Sequence, residues 1–269
     1  MWLDTKFIKT YQFTYLSLNQ FTPTVWILTH PYPTRTICLG TGMEIKSSII
    51  LVTSAGSRLG GTIANHFVNL GATVILCDND TEALQAAYLQ CARFSDSVYH
   101  YPLESNDSQA ILNVFDFIQT TFNTTPDVLV NNWVSSPMPS LIGDQPVGGF
   151  INDLSNMAST LFAFGQISAE RLRAEDKEGV IVNVISHDDF HDVSGLESAN
   201  SMITGFTHSW AKELTPFNIR VGGVVPAIHN ADGKLNRCHW AQLQDELTRT
   251  AEYIISNDYF SGRVVAAEV

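Results

Sequence analysis

Residues 48–78 decide the fold, and they read SIILVTSAGSRLGGTIANHFVNLGATVILCD. The apolar, β-branched run at 48–53 predicts a buried strand, and the glycine-rich turn after it leads into a helical pattern. A second apolar run at 73–77 predicts another buried strand, which ends at Asp78. Because buried strands joined through a helix pair in parallel, this stretch predicts the first βαβ unit of a parallel sheet.

The alternation of strand and helix continues along the chain. Residues 108–122 have apolar side chains at helical spacing, behind a start that Asn106 and Asp107 can cap. Right-handed crossovers then predict a Rossmann-type doubly wound parallel sheet of about seven strands, an α/β fold with helices on both faces in three layers. The five further candidate strands are residues 98–102, 127–131, 180–185, 220–225 and 263–267.

Length, charge and cysteine content limit the class of protein. A chain of 269 residues is long enough for one large α/β domain. Its formal net charge of -12 at pH 7 disfavours binding to nucleic acid or to anionic lipid, so small molecules or protein surfaces are the expected partners. The four cysteines include no CxxC pair, which favours a reducing cytoplasm. No apolar run approaches the ~18 residues of a membrane helix, and no secretory signal is recognisable.

Residues 1–42 differ in character from the rest of the chain. They are rich in threonine, proline and aromatic residues and have no sustained helical or strand period. We expect either a poorly ordered extension or a start assigned too early, with Met43 as the true start. An N-terminal arm that takes part in oligomer contacts is the alternative. The single predicted domain covers residues 43–269.

The turn after the first strand has the composition of a nucleotide-binding loop. In a dinucleotide-binding βαβ unit, glycines let the backbone approach the pyrophosphate at the helix N-terminus. An acidic residue about 20 positions further on then bonds the ribose hydroxyls. Gly56, Gly60, Gly61 and Asp78 lie in that context. The pattern therefore favours a dinucleotide site.

Together with this loop, four segments in order give the chain a resemblance to the short-chain dehydrogenase/reductase family. The resemblance covers nearly all of residues 45–265. It implies NAD(P) binding, hydride transfer between carbonyl and alcohol, and a homodimer or homotetramer through helices beginning near Asn156 and Ser198. The four segments are DVLVNN at 127–132, GVIVNVIS at 179–186, AKELTPFNIRVGGVVP at 211–226 and FSGRVV at 260–265.

Several cofactor positions depart from the family pattern. The family loop TGxxxGxG has its glycines where this chain has Ser54, Arg58 and Gly60. A Cβ at position 58 would crowd the pyrophosphate, although a long cationic side chain can instead fold over the phosphates. The family segment NNAG reads NNWV here, with Trp133 in space that a cofactor needs. The cofactor-binding positions that the resemblance implies are Ser54, Gly56, Arg58, Leu59, Gly60, Asp78, Asn131 and Pro226.

Asp78 bears on the choice of cofactor. It matches the acidic residue that favours NAD over NADP in the family, because a carboxylate repels a 2′-phosphate. The alternative is an exposed carboxylate at a strand end with no cofactor role.

The family's catalytic tyrosine and lysine are absent. The resemblance places the Tyr-x-x-x-Lys motif on LESAN, so Leu196 stands for the tyrosine and Asn200 for the lysine. A tyrosine beside an ammonium group exchanges a proton with a carbonyl oxygen near neutral pH, and neither residue present can do so. The catalytic serine and asparagine are kept as Ser186 and Asn156. Both have structural alternatives, namely a strand-end hydroxyl bonded to the backbone and a helix cap or kink.

Histidines and aspartates crowd the segment after Ser186, which reads HDDFHD at 187–192. Three interpretations stay open: a solvated acidic loop, a substitute proton donor at His187 or His191, and a metal site that uses both histidines. The metal interpretation requires a helix, because only there does the i,i+4 spacing place both rings on one face.

The sequence thus predicts a divergent family member that has lost hydride transfer and acts as a nucleotide or ligand binder, or as a non-catalytic partner. An active NAD-dependent oxidoreductase, with a proton from His187, His191 or water, is the main alternative. Metal-dependent chemistry on the 187–192 segment is the weaker one.

Overall fold

A computed structural model describes residues 43–135, 147–187, 195–227 and 237–268. They belong to one compact unit, Gly40–Val269. The expectation for residues 1–42 lies outside the described residues.

The described part of the chain contains one parallel sheet of seven strands. The strands lie in the order β3-β2-β1-β4-β5-β6-β7, so the chain reverses its direction of winding between β1 and β4. The predicted doubly wound sheet is confirmed. The strands are β1 (Ile49–Thr53), β2 (Thr73–Asp78), β3 (Val98–Pro102), β4 (Val128–Ser135), β5 (Gly179–His187), β6 (Ile219–Pro226) and β7 (Arg263–Ala267).

Six α-helices connect the strands in the described ranges. Asp107 caps α3 as predicted, since its Oδ1 accepts the Ala110 N–H at 2.8 Å. The helix expected to begin near Asn156 in fact begins at Val147. The helices are α1 (Arg58–Asn69), α2 (Thr81–Cys91), α3 (Ser108–Phe122), α4 (Val147–Ala174), α5 (Leu196–Leu214) and α6 (Arg237–Ser256), with 3-10 turns at Ile45–Ser47 and Thr215–Phe217.

The helices form one layer on each face of the sheet. Ile50 and Val52 of β1 pack in a core with α1, α2 and α6. The intervening Leu51 packs in a second core with α3, α4 and α5. Successive side chains of a strand point to opposite faces, so the apolar run at positions 49–52 of β1 serves both cores.

Strands β4 and β5 run further than the sequence predicted. They pair from Val128↔Val180 to Ser135↔His187, whereas β1 pairs with β4 only as far as Val130. The extension passes through Trp133 and Val134, whose aromatic and β-branched side chains favour strands over the small residues of the family pattern. A crevice therefore opens at the carboxyl edge between β1 and β4, where ligands bind in doubly wound folds.

Candidate functional site

The turn between β1 and α1 is closed by its own hydrogen bonds. Ser54 has a φ of 45°, the left-handed region, at a position where the family has glycine. Its carbonyl accepts the Ser57 N–H at 3.2 Å and the Ser57 hydroxyl at 2.7 Å. Asn132 Nδ2 adds bonds to Ser54 O at 3.3 Å and Ser57 Oγ at 3.2 Å. The turn thus keeps its shape without the first family glycine.

Gly60 is required by packing at this turn. A Cβ on Gly60 would lie 2.2 Å from the Ser54 carbonyl oxygen, closer than any real contact. Its N–H donates to Ser57 Oγ at 3.1 Å, which makes Ser57 the cap of α1. Arg58, the first residue of α1, is exposed, and Leu59 is buried in the core beneath the turn.

Asp78 is buried at the end of β2, so the alternative of an exposed strand-end carboxylate is wrong. Its Oδ2 accepts the Gly56 N–H at 2.8 Å and its Oδ1 accepts the Asp80 N–H at 3.0 Å. The carboxylate therefore ties the glycine turn to the start of α2. Burial, and then the charge of Asp78, raise the pKa of the adjacent Cys77 thiol, which keeps this thiol protonated and unreactive.

A cavity of about 180 Å³ lies at the carboxyl ends of β1, β2 and β4. Its polar lining includes Asp78, Asn132 and Thr160, and its apolar lining includes Leu103 and Phe164. Sequence reasoning missed Leu103, Thr160 and Phe164, because only the packing of α4 against the sheet brings them to this edge. Among the described residues, the buried Asn132 Oδ1 has no hydrogen-bond partner.

Asn131 also lines the cavity, but its amide serves the framework. Its Nδ2 donates to Leu161 O at 3.0 Å and to Asn183 Oδ1 at 3.3 Å. Asn183 in turn donates to Thr207 Oγ1 at 3.1 Å. This buried chain of amides links β4, β5 and α5.

The two retained catalytic positions do not form a site together. Ser186 is buried, and its Oγ donates to the Trp133 carbonyl at 3.2 Å, a strand-end bond to the backbone. Asn156 is exposed in the interior of α4, so it is not a helix cap. The next residue, Met157, is fully buried instead.

Leu196 and Asn200 are built into the core. Leu196 belongs to a buried apolar cluster with Met157, Ile185 and Val225. Asn200 is 8% exposed, and its Nδ2 donates to the Pro226 carbonyl at 3.1 Å. The side chains at positions 196 and 200 therefore supply no acid, base or cation.

His187 lies inside the protein and not in a loop. It is the last residue of β5, pairs with Ser135, and is 2% exposed. Its ring meets the Trp240 indole of α6 edge to face, with the centroids 6.3 Å apart. The solvated-loop interpretation is thus wrong for His187. The other members of the cluster, Asp188, Asp189, His191 and Asp192, lie outside the described residues.

Helix α6 closes the crevice beside His187. About 10 Å³ remains between Leu59, Ser186, His187, Pro226 and Trp240. Sequence reasoning missed Trp240, although the spacing of Trp240, Leu243 and Leu247 is helical and all three are buried.

The residues present fit one half of a dinucleotide. In a doubly wound sheet the two nucleoside halves lie on either side of the switch point, and the pyrophosphate lies at the N-terminus of the first helix. On the β2 side, Asp78 lines a cavity. On the β5 side, His187 and Trp240 leave only about 10 Å³, which is too little for a nicotinamide ring.

No group of three or more histidine, cysteine, aspartate or glutamate side chains is arranged to hold a metal ion in the described ranges. No helix among the described residues is long and apolar enough to cross a membrane.

Curated relatives of the chain are oxidoreductases by name. Sorbitol-6-phosphate 2-dehydrogenase of Klebsiella pneumoniae is 25% identical over 206 residues, 72% of this chain and 74% of that protein. The 3-oxoacyl-[acyl-carrier-protein] reductase FabG of Thermotoga maritima is 26% identical over 193 residues, 68% of this chain and 75% of that protein.

Solved structures share the fold. A short-chain type dehydrogenase/reductase from Mycobacterium marinum superposes with a TM-score of 0.70 at 17% identity, over 84% of this chain and 95% of that one. The 3-ketoacyl-(acyl-carrier-protein) reductase from Brucella melitensis, complexed with NADH, superposes with a TM-score of 0.67 at 18% identity, over 82% of this chain and 97% of that one.

The sequence model of the short chain dehydrogenase family matches residues 48–241, from β1 into α6. This match spans more than half of the 269 residues. It includes the glycine turn, the Asp78 strand end and the β4–β5 core described above. The chain belongs to the short-chain dehydrogenase family.

Proposed function

We propose that this protein is a family member that binds a nucleotide or another small ligand without transferring hydride. The observation that carries the proposal is the burial of Leu196 and Asn200 at the positions of the family's tyrosine and lysine. A leucine has no proton to exchange. The Asn200 amide carries no charge and is bonded to the Pro226 carbonyl.

The retained Asp78 supports a nucleotide as the ligand. Its carboxylate lines the cavity and carries a negative charge that repels a 2′-phosphate. NAD-type nucleotides are therefore favoured over NADP-type ones. The curated relatives are named as a dehydrogenase and a reductase, and the structurally similar Brucella melitensis reductase is complexed with NADH, which agrees with a nucleotide ligand.

Turnover assays test the loss of hydride transfer. The full chain is incubated with NADH or NADPH and a panel of aldehydes and ketones, with an active family member as the positive control. We expect no oxidation of either nucleotide above the rate without protein. Oxidation that depends on both the protein and a carbonyl substrate would overturn the proposal.

Thermal shift identifies the class of ligand. A ligand at 100 times its Kd adds about 2.7 kcal/mol of stability, enough for a visible rise in Tm. We expect a rise with NADH and a smaller one with NADPH. A rise with a divalent cation alone would favour the metal alternative.

The second candidate is an active NAD-dependent oxidoreductase whose proton comes from His187, His191 or water. The position of His187 next to Ser186 at the carboxyl end of β5 favours it. If the turnover assay shows activity, His187→Ala and His191→Ala decide between the donors. Activity unchanged in both variants would leave water as the donor.

We also propose that the protein is a cytoplasmic homo-oligomer that associates through α4 and α5. Phe162 of α4 is 47% exposed and meets the Trp210 ring of α5 edge to face. Phe206 stacks on the same indole, with 5.3 Å between the ring centroids. Phe162 and the half-buried Phe206 thus leave aromatic surface where α4 and α5 meet, over the buried Trp210, and exposed apolar surface of this kind is found at interaction sites.

A further inference from the structure

The two sides of the crevice differ in size and in polarity. The cavity beside Asp78 holds about 180 Å³, and the space between His187 and Trp240 about 10 Å³. Clefts that hold whole drug-sized ligands measure roughly 300–1,000 Å³. The larger space thus suits a single base with part of its sugar.

We propose that this cavity is a site for one adenosine-type nucleoside or mononucleotide, and that the protein does not distinguish such a ligand from a dinucleotide. The proposal rests on the non-catalytic function proposed above and names the ligand class of the same site.

The lining suits a purine base. Phe164 and Leu103 provide apolar surface for the ring faces. Asn79 and Asn106 add side-chain amides, each with two donors and an acceptor, to match the edges of the base. The buried Asn132 Oδ1 is an acceptor with no partner in the described part of the chain, and the exocyclic amino group of adenine is a matching donor.

Asp78 suits a ribose. An ionised carboxylate has about four lone-pair positions, and the N–H groups of Gly56 and Asp80 take two of them. The remaining positions match the donor hydroxyls of a ribose. A phosphate attached to those hydroxyls is repelled, so the sugar has to be unmodified at its 2′ position.

The second nucleoside of a dinucleotide gains no contact. Trp240 and Leu243 of α6 are buried against β5 and β6, and Leu59 closes the space from α1. Opening this space means exposing two large apolar side chains of α6 to water. The second base therefore stays in solvent.

Calorimetric titration of the full chain with AMP, ADP-ribose and NAD+ tests the proposal. We expect Kd values within about threefold of one another, because the three ligands share the adenosine half. In Trp240→Ala, where the closed space opens, we expect NAD+ to bind more tightly and AMP to be unchanged. Tyr253→Ala, an exposed residue of the same helix, is the control and should change neither value.

Fluorescence of bound NADH gives a readout that needs no variant. We expect the nicotinamide emission to keep the wavelength that it has in water. A Kd for NAD+ at least tenfold below that of AMP, a blue-shifted emission, or no binding of any adenosine compound would each overturn the nucleoside site. The proposed lack of hydride transfer fails only if the protein oxidises NADH or NADPH with a carbonyl substrate, so its failure is distinguishable from each of these binding results.

Discussion

Gly60 and Ser54 touch at the turn that begins α1, and the residue at position 60 is fixed by that contact. The close approach leaves no room for a side chain on the helix, since even a methyl group would overlap the Ser54 carbonyl. A glycine at this place in a βαβ unit is thus a requirement of helix–strand packing, whether or not a nucleotide is bound.

We predict that Gly60→Ala destabilises the protein by about 2–3 kcal/mol, because α1 has to move away from β1. The measurement is urea unfolding followed by circular dichroism. Gly61→Ala is the matched control, since its Cβ would have ordinary contacts at 3.4 Å and 3.7 Å. The control should be neutral or gain up to ~1 kcal/mol from helix propensity. Equal losses in both variants would contradict the packing argument.

Single residues also mark the limit of what the sequence could predict about the site. The absence of tyrosine and lysine at positions 196 and 200 is visible without a structure. The burial of Asp78 cannot be seen in the sequence, because it depends on Gly56 and Asp80 lying against it in three dimensions. The position of His187 was misjudged because histidine followed by two aspartates has the composition of a loop.

The pattern of apolar runs was enough to predict the sheet, and the errors lie at the ends of strands and helices. Strand β4 continues to Ser135 because β5 pairs with it along that length; Trp133 and Val134 favour a strand, but the sequence does not show how far this long-range pairing runs. Helix α6 was expected as one of the helices between strands, but nothing in the sequence shows that it covers the crevice. Helix α6 therefore accounts for the closed half of the site.

Helix α6 ends on the guanidinium of Arg220, which projects from β6. The group donates to Ile254 O at 2.9 Å, Asn257 O at 3.0 Å and Ile255 O at 2.7 Å. Burial lowers the pKa of Arg220, and the charge of Asp258 partly restores it. The last carbonyls of a helix have no partner within the helix, and this side chain satisfies two of them, at Ile254 and Ile255, as well as the Asn257 carbonyl just after the helix.

We predict that Arg220→Met destabilises the protein by about 2–3 kcal/mol, because buried carbonyls lose a charged donor. Urea unfolding measures the loss. Arg249→Met is the control on the same helix, where an exposed i,i+4 pair with Asp245 is worth roughly 0.3–0.5 kcal/mol. A loss of under 1 kcal/mol in Arg220→Met would show that water replaces the guanidinium.

At the scale of the whole molecule, the proposed oligomer makes a separate prediction. Phe162→Glu places a charge on the α4 and α5 face, so we expect the variant to dissociate to the monomer. Light scattering coupled to size exclusion measures the mass. Leu89→Glu, which is 54% exposed on α2, is the control and should keep the wild-type mass. An unchanged mass for Phe162→Glu would show that the interface lies on another face of the protein.

The proposed loss of hydride transfer involves the whole site, so restoring two residues should not restore activity. In Leu196→Tyr/Asn200→Lys, the tyrosine has to fit the buried cluster of Met157, Ile185 and Val225. The lysine takes the place of an amide that is bonded to the Pro226 carbonyl. We predict a loss of about 3 kcal/mol or more from overpacking and from a buried charge.

The double variant should also show no carbonyl-dependent oxidation of NADH, because His187 and Trp240 still fill the place of the nicotinamide. Urea unfolding and the turnover assay are run on the same preparation, and Leu196→Met, which keeps the volume, is the control for stability. Measurable hydride transfer by a folded double variant would mean that the missing tyrosine and lysine alone prevent hydride transfer in the wild-type protein. In that case α6 has to move away from β5 when NADH binds.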